Sequence, residues 1–246
     1  LEERQKGKMV VKRKAFQGLT NIIRFNWHFY LLACVAFVFL GLGFGMVLAM
    51  LILSSLLVSY YIYDYSNLYE LPWLENSQPQ TILNINAGFD ESSVILSQKY
   101  PSAALHICDF YDSKKHTEVS VKRARKAYPP HPNCLRVQTS HLPFSDHTFD
   151  VVVAMLAAHE IRSAGEREKF FLELQRVTQS DGRIYVTEHL RDLPNMLAYN
   201  IGFFHFLSKK SWLDTFEAAD LQVEAVIPTT PFITTFILKK RHGNAA

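Results

Sequence analysis

The sequence predicts a doubly wound, mostly parallel α/β sheet preceded by an α-helical membrane hairpin. Residues 25–63 run for 39 positions without Asp, Glu, Lys or Arg, well beyond the ~18 residues that mark a membrane segment. From Thr81 onward short apolar runs alternate with amphipathic ones, as in a sheet whose strands are joined by crossover helices. Polar residues gather just past those apolar runs, at the edge where such sheets bind ligands. The expected organisation is a basic arm at 1–24, the hairpin at 25–63, an interfacial linker at 64–80 and one domain at 81–246.

A single helix over the uncharged run would measure about 58 Å, nearly twice the ~30 Å hydrocarbon core. Gly41-Leu42-Gly43-Phe44-Gly45 interrupts it, and clustered glycines punctuate helices. Two helices, 27–40 and 46–63, are therefore expected. Before them Arg4, Lys6, Lys8, Lys12, Arg13, Lys14 and Arg24 oppose only Glu2 and Glu3, although the whole chain carries just +3. Such an arm favours the cytoplasmic face and anionic headgroups. Trp27, Phe29 and Tyr30 at one end and Tyr60, Tyr61 and Tyr63 at the other suit an interfacial belt. In a hairpin both belts share one side, which places arm and domain together in the cytoplasm. The run is too long for a cleaved signal and lacks a small-residue cleavage site. Its turn carries no polar residue, so crossing the bilayer and dipping into it both fit.

In chain order the elements read as follows. Residues 81–86 (TILNIN) form a short apolar strand, followed by the turn Ala87-Gly88-Phe89-Asp90 and a helix at 91–99. A second strand, 104–108, ends at Asp109, and a helix at 117–128 stops before Pro129-Pro130. A third strand covers 134–138. The fourth, 149–155 (FDVVVAM), is apolar throughout, as suits burial on both faces. Residues 165–178 place Phe170, Phe171, Leu174 and Val177 on one side of a helix. A fifth strand at 183–187, a helix at 211–219 and strands at 223–227 and 232–238 complete the domain.

Cys34, Cys108 and Cys134 are scattered, without zinc or disulfide spacing, and read as reduced thiols. About 180 residues follow the hairpin, enough for one sizeable core. The domain is not basic and shows no basic patch with interleaved aromatics, which argues against nucleic acid as a partner.

Four segments, ILNINAGFDESS, LHICDFYD, LPFSDHTFDVVVAMLAAHE and LQRVTQSDGRIYVTEH, resemble in order and spacing the motifs of class I S-adenosylmethionine-dependent methyltransferases. The ubiquinone/menaquinone C-methyltransferase-like group is the most similar, over residues 81–239. The resemblance implies a Rossmann-like sheet of methyltransferase type and S-adenosylmethionine as cofactor. It implies that Gly88 lets the backbone pass close under the cofactor, although Asn86 and Asp90 replace two glycines of that loop. Asn84 stands where the family often has an acid near the cofactor's amino-acid end. Asp109 matches the acid that accepts hydrogen bonds from the ribose hydroxyls. Gln138 falls where a carboxylate usually reads the adenine amino group. Asp90 reads equally as an N-cap of the following helix.

Methyl transfer from a sulfonium asks mainly for alignment, and for a base only where the nucleophile must lose a proton. His159, past the fourth strand, is the best-placed base and His189, past the fifth, the second; Glu160 and Glu188 are placed to orient them. His116, Glu118, His159, Glu160, Glu188, His189 and His205 also offer a mixed metal-ligand set. Arg123, Arg125, Arg162, Arg167 and Arg191 nearby favour ion pairing instead, so no metal is expected. Residues 193–208, rich in aromatics, are expected to line an apolar acceptor pocket, rest on the bilayer or fill core. Together these features predict a membrane-anchored methyltransferase for a lipophilic small molecule such as an isoprenoid quinone, lipid or pigment precursor. A non-catalytic, methyltransferase-like module at the membrane is the alternative, motivated by the altered glycine loop.

Overall fold

A computed structural model describes residues 13–74 and 78–241; most of the expected basic arm, 1–12, lies outside them. The chain opens with two packed antiparallel helices, α1 (Gln17–Leu40) and α2 (Leu42–Tyr60). The reversal takes one residue, Gly41 at φ +85°, so the break is narrower than the five-residue interruption expected. Gly43 and Gly45 continue the helix. A Cβ on Gly45 would overlap the Phe37 ring, so this glycine is where the two helices approach. Helix α1 also starts ten residues before the expected Phe25–Trp27 boundary. That boundary survives as a kink at Asn26 (φ −114°, ψ 15°), whose side-chain amide donates to the Ile22 carbonyl at 3.0 Å. Before the kink, Asn21 and Phe25 are buried against the domain; after it Phe29, Leu32, Val38 and Phe39 stand exposed. Both helices are long and apolar enough to cross a membrane.

A π-helical turn (Tyr61–Tyr65) and two short 3-10 turns carry the chain into the sheet. The expected linker is thus partly built into the core: Ile62, Leu68, Leu71, Trp73 and Leu74 are buried, and Trp73 stacks on Tyr185 at 5.1 Å. Asp64 accepts from the Gly18 and Leu19 amides at 2.8 and 2.7 Å. The free N–H groups at the start of α1 are thereby satisfied from the far end of the hairpin.

The sheet has seven strands: β1 (Thr81–Asn86), β2 (Ala104–Asp109), β3 (Cys134–Arg136), β4 (Phe149–Met155), β5 (Thr178–His189), β6 (Leu221–Thr230) and β7 (Ile233–Lys240). Their order is β3-β2-β1-β4-β5-β7-β6, with β7 alone inserted antiparallel between β5 and β6. The mostly parallel, doubly wound architecture is therefore present. Between them lie α3 (Ser92–Lys99), α4 (Val119–Ala127), α5 (Ala164–Val177), α6 (Leu193–Tyr199) and α7 (Lys209–Ala218). Residues alternate across the pleat. Leu83, Ile85, Val152, Ala154, Ile184 and Val186 meet Phe170, Phe171, Leu174, Trp212 and Phe216 of α5 and α7. Ile82, Val151, Val153 and Tyr185 face Leu96, Leu68, Leu71 and Trp73. Both faces are covered, which is why β4 reads as continuously apolar. Strand β5 starts directly after α5, and Gln179 to Gly182 bulge out between Phe149↔Thr178 and Val151↔Arg183.

Candidate functional site

The parallel strands β1, β2, β4 and β5 end side by side, and every site residue read from the sequence except Asn84 and Gln138 lies at or just beyond that edge. Asn84 sits inside β1 with its amide fully used. It donates to Asp90 Oδ1 (3.2 Å) and Ser93 Oγ (2.7 Å) and accepts from Ser92 Oγ (3.1 Å). Asp90 in turn accepts from the Ser92 and Ser93 amides at 3.1 and 2.9 Å, so it caps α3. Asn86 Oδ1 accepts from the Gly88 amide at 2.8 Å, closing a turn that Gly88 completes at φ +92°. The buried Asn86 Nδ2 has no hydrogen-bond partner among the described residues. Phe89 turns away toward the hairpin and packs edge-on against Phe25 and Tyr128. Asn86 and Asp90, at the places of two glycines in the resembled loop, thus bond the loop itself.

Asp109 ends β2, almost fully buried. Its Oδ1 accepts from the Tyr111 amide at 2.8 Å, and its Oδ2 pairs with Arg125 Nη1 at 2.5 Å. The guanidinium lies over the Tyr111 ring and fills the space beside Gly88, where a Cβ would overlap it. Arg125, which sequence reasoning placed only among ion-pairing arginines, is therefore the side chain that occupies the crevice. Gln138 stands apart, exposed just past β3.

His159 follows β4 in a buried 3-10 turn. Its Nδ1 bonds Glu188 Oε2 at 2.6 Å, while Glu188 Oε1 accepts from the Ala157 and His159 amides at 3.2 Å each. Its Nε2 faces Glu160 Oε1 at 3.5 Å. Burial alone would depress this histidine's pKa, but Glu188 and Glu160 outweigh it and push it up to about 10. Burial likewise acts to raise Glu160, and the hydrogen bonds to His159 and His205 override it, holding the carboxyl well below its usual range. In this ion-paired form His159 is an imidazolium, which donates and does not accept a proton. His205, reached from the 3-10 turn after α6, joins from the other side: Nδ1 to Glu118 Oε1 is 3.0 Å, and Nε2 to Glu160 Oε1 is 3.8 Å.

His189 is a different kind of histidine. It is enclosed, stacked on Phe206, with Nε2 at 2.8 Å from the Tyr63 hydroxyl and Nδ1 at 3.0 Å from Asn195 Oδ1. The Asn195 amide is pinned by donating to Asp192 and to the Phe232 carbonyl. Its oxygen therefore accepts from His189 Nδ1–H, leaving Nε2 to accept from Tyr63. Burial lowers the His189 pKa to about 3. As pH falls through 6.5 the unfolded chain takes up this proton before the folded chain does. The stability carried by neutral His189 is thus present above the ordinary histidine range and lost progressively toward about pH 3. The expected loss across that window is on the order of 5 kcal/mol. Thermal unfolding against pH should show a steeper acid slope for the parent than for His189→Asn; equal slopes would contradict it.

A second feature adjoins the edge. Helix α6 packs on α2, and between them lies an apolar cavity of about 350 Å³ lined by Ser54, Val58, Leu193, Pro194, Leu197, Ala198 and Phe232. Leu197, which lines it, and Ile201 and Phe204 in the turn after α6 are exposed, so part of the aromatic segment 193–208 faces outward.

Residues 104–186 match a family model described as a methyltransferase domain. Among solved structures, a SAM-dependent methyltransferase from Aquifex aeolicus superposes with a TM-score of 0.54 at 16% identity, covering 73% of this chain and 90% of that one. A SAM-dependent methyltransferase from Methanosarcina mazei gives 0.51 at 16% identity, covering 69% and 97%. A protein from Pyrococcus horikoshii gives 0.51 at 15% identity, covering 74% and 95%. At such identities the likeness is one of fold. No curated protein sequence matches the chain.

Proposed function

We propose that this chain, whose residues 104–186 match a methyltransferase domain model, is an S-adenosylmethionine-dependent methyltransferase that methylates a lipophilic small molecule reaching the site from a bilayer. The observation that carries the reading is the junction of hairpin and site. The apolar cavity between α2 and α6 opens among exposed apolar side chains, and Tyr63 at the hairpin's base touches His189 at the end of β5. An isoprenoid quinone, a lipid or a pigment precursor has the chemistry such a groove admits.

The hairpin's geometry favours insertion from one face. Past the Asn26 kink, α1 offers 14 residues to Leu40, about 21 Å against a ~30 Å hydrocarbon core. The preceding turns are held by the domain: Tyr128 Oη donates to Asn21 at 2.9 Å, and Arg123 Nη1 donates to the Phe25 carbonyl at 2.7 Å. The tip then passes the midplane without emerging. In a background lacking the native cysteines, Gly43→Cys in sealed vesicles should resist a membrane-impermeant maleimide added from either side. Labelling from the side opposite the domain would show a full crossing.

The residues present fit the cofactor once Arg125 swings aside. Gly88 allows close backbone approach, Asp109 offers a carboxylate for a diol, and the unpartnered Asn86 amide offers a donor. S-adenosylmethionine, when bound, supplies an already activated methyl group, so the chain's work is alignment and exclusion of water. Neither His159, held protonated, nor His189, enclosed and bonded at both nitrogens, stands free as a base. The non-catalytic reading draws on one observation, Arg125 seated beside Gly88. Calorimetric titration with S-adenosylhomocysteine separates the two. Binding is expected, and Asp109→Ala should weaken it at least about tenfold, as for a charge-assisted hydrogen bond. No binding by well-folded protein would leave the non-catalytic module.

A further inference from the structure

We propose that His159, Glu160 and His205 form a binding site for one divalent transition-metal ion. His159 Nε2 and His205 Nε2 both face Glu160 Oε1, at 3.5 and 3.8 Å, and ligand atoms of the three residues lie within 4.8 Å of one another. Donors bound to a tetrahedral ion at about 2.0–2.1 Å stand roughly 3.3–3.5 Å apart. The two His–Glu160 separations are already within a few tenths of an ångström of that geometry, and side-chain rotation of at most about 1.5 Å between the imidazoles completes it.

Each imidazole is already oriented from behind. His159 Nδ1 meets Glu188 Oε2 at 2.6 Å, and His205 Nδ1 meets Glu118 Oε1 at 3.0 Å. A carboxylate behind the imidazole fixes the proton on Nδ1 and turns the Nε2 lone pair toward a metal. This pattern occurs here twice, on two histidines that converge on one carboxylate. The supports are themselves anchored: Glu188 holds two backbone amides, and Arg162 Nη1 donates to the carbonyls of both His159 and His205. Metal binding displaces the Nε2 proton of the metal-free His159 imidazolium to solvent; with neutral imidazoles, Glu118, Glu160 and Glu188 against Arg162 leave two negative charges in the cluster, which one divalent ion offsets. Two imidazoles and a carboxylate suit zinc, iron, cobalt or manganese better than magnesium or calcium. Three protein ligands leave a coordination position for water or an acceptor atom, unlike the closed set of a structural site. The site lies at the carboxyl edge of β4 and β5 and stands whether or not the chain transfers methyl groups.

The test uses the full chain in detergent, stripped with a chelator and titrated with Co²⁺ alone, read by visible ligand-field absorption, and with Zn²⁺ by calorimetry. One equivalent should bind with a Kd of about 1 μM or tighter. His205→Ala and Glu160→Gln, each checked for unchanged far-UV circular dichroism, should weaken it at least about tenfold. Glu188→Gln, which keeps the ligands but not the carboxylate behind His159, should weaken it about 10–100-fold, with far-UV circular dichroism unchanged. Absence of saturable binding by well-folded protein would overturn the proposal. So would one equivalent bound equally by the parent, His205→Ala and Glu160→Gln, and the cluster would then be an ion-pair network alone.

Discussion

Arg125→Ala is expected to raise the affinity for S-adenosylhomocysteine about tenfold or more. In the structure Arg125 holds Asp109 through a 2.5 Å charge-assisted bond, lies over the Tyr111 ring and occupies the volume next to Gly88. A ligand that uses Asp109 and Gly88 must first break these contacts. A charged hydrogen bond is worth about 1.5–3 kcal/mol and a cation–π contact about 0.5–1 kcal/mol, and each 1.4 kcal/mol is tenfold in affinity. Removing the side chain removes that cost while leaving Asp109 in place. Arg125→Lys, which keeps the charge but loses the planar fork, should fall between. Calorimetry on the parent, Arg125→Ala and Asp109→Ala measures it. A lower affinity in Arg125→Ala would instead show that the guanidinium turns to hold the ligand.

The contrast between Asp109 and Arg125 shows which parts of the site a sequence carries. Asp109 is legible because it ends an apolar run, and strand ends in such sheets face the ligand edge. Arg125 is one of four basic residues in Lys122-Arg123-Ala124-Arg125-Lys126. Only the placement of α4 beside β2 singles it out from Arg123, which goes to the hairpin. The histidines divide the same way. His159 and Glu160 are adjacent in sequence, but His205 joins them through the fold of residues 190–206. No spacing rule connects the two imidazoles.

The fold divides similarly. Strands β1 and β4 coincide with their apolar runs because both faces are buried and the runs end at turn residues. Helix α6 falls in the aromatic segment 193–208, for which no element is expected from the sequence, although Asp192 followed by Pro194 is a helix-start signal: the Asp192 carboxylate does accept from the Asn195 amide. Residues 64–74 read as linker because Leu68, Leu71, Trp73 and Leu74 are interleaved with polar residues and make two separate 3-10 turns. Neither turn has a length or period that signals burial. The kink at Asn26 depends on a side chain competing for a backbone carbonyl, and so does not show in hydropathy.

Glu188→Ala is expected to destabilise the folded chain by about 3–5 kcal/mol, as breaking a buried ion pair does. The carboxylate is fully buried, and its loss strands the His159 imidazolium and two buried backbone amides at once. Against a total of about 5–15 kcal/mol for a typical domain, such a loss approaches unfolding at growth temperatures. Glu188→Gln should cost far less. Its amide oxygen still accepts from the Ala157 and His159 amides, while its NH₂ presents donors to His159 Nδ1. Nδ1 must then accept, so the imidazolium loses its Nδ1 proton and keeps the one on Nε2, the nitrogen that faces Glu160. The same substitution therefore separates two roles of Glu188. Chemical denaturation should show a near-parental midpoint for Glu188→Gln and a large drop for Glu188→Ala. Equal losses in both would mean that the negative charge itself, rather than its hydrogen-bonding shape, holds this edge of the sheet. In that event His159 is structural as an imidazolium, and its Nε2 is not free to ligate.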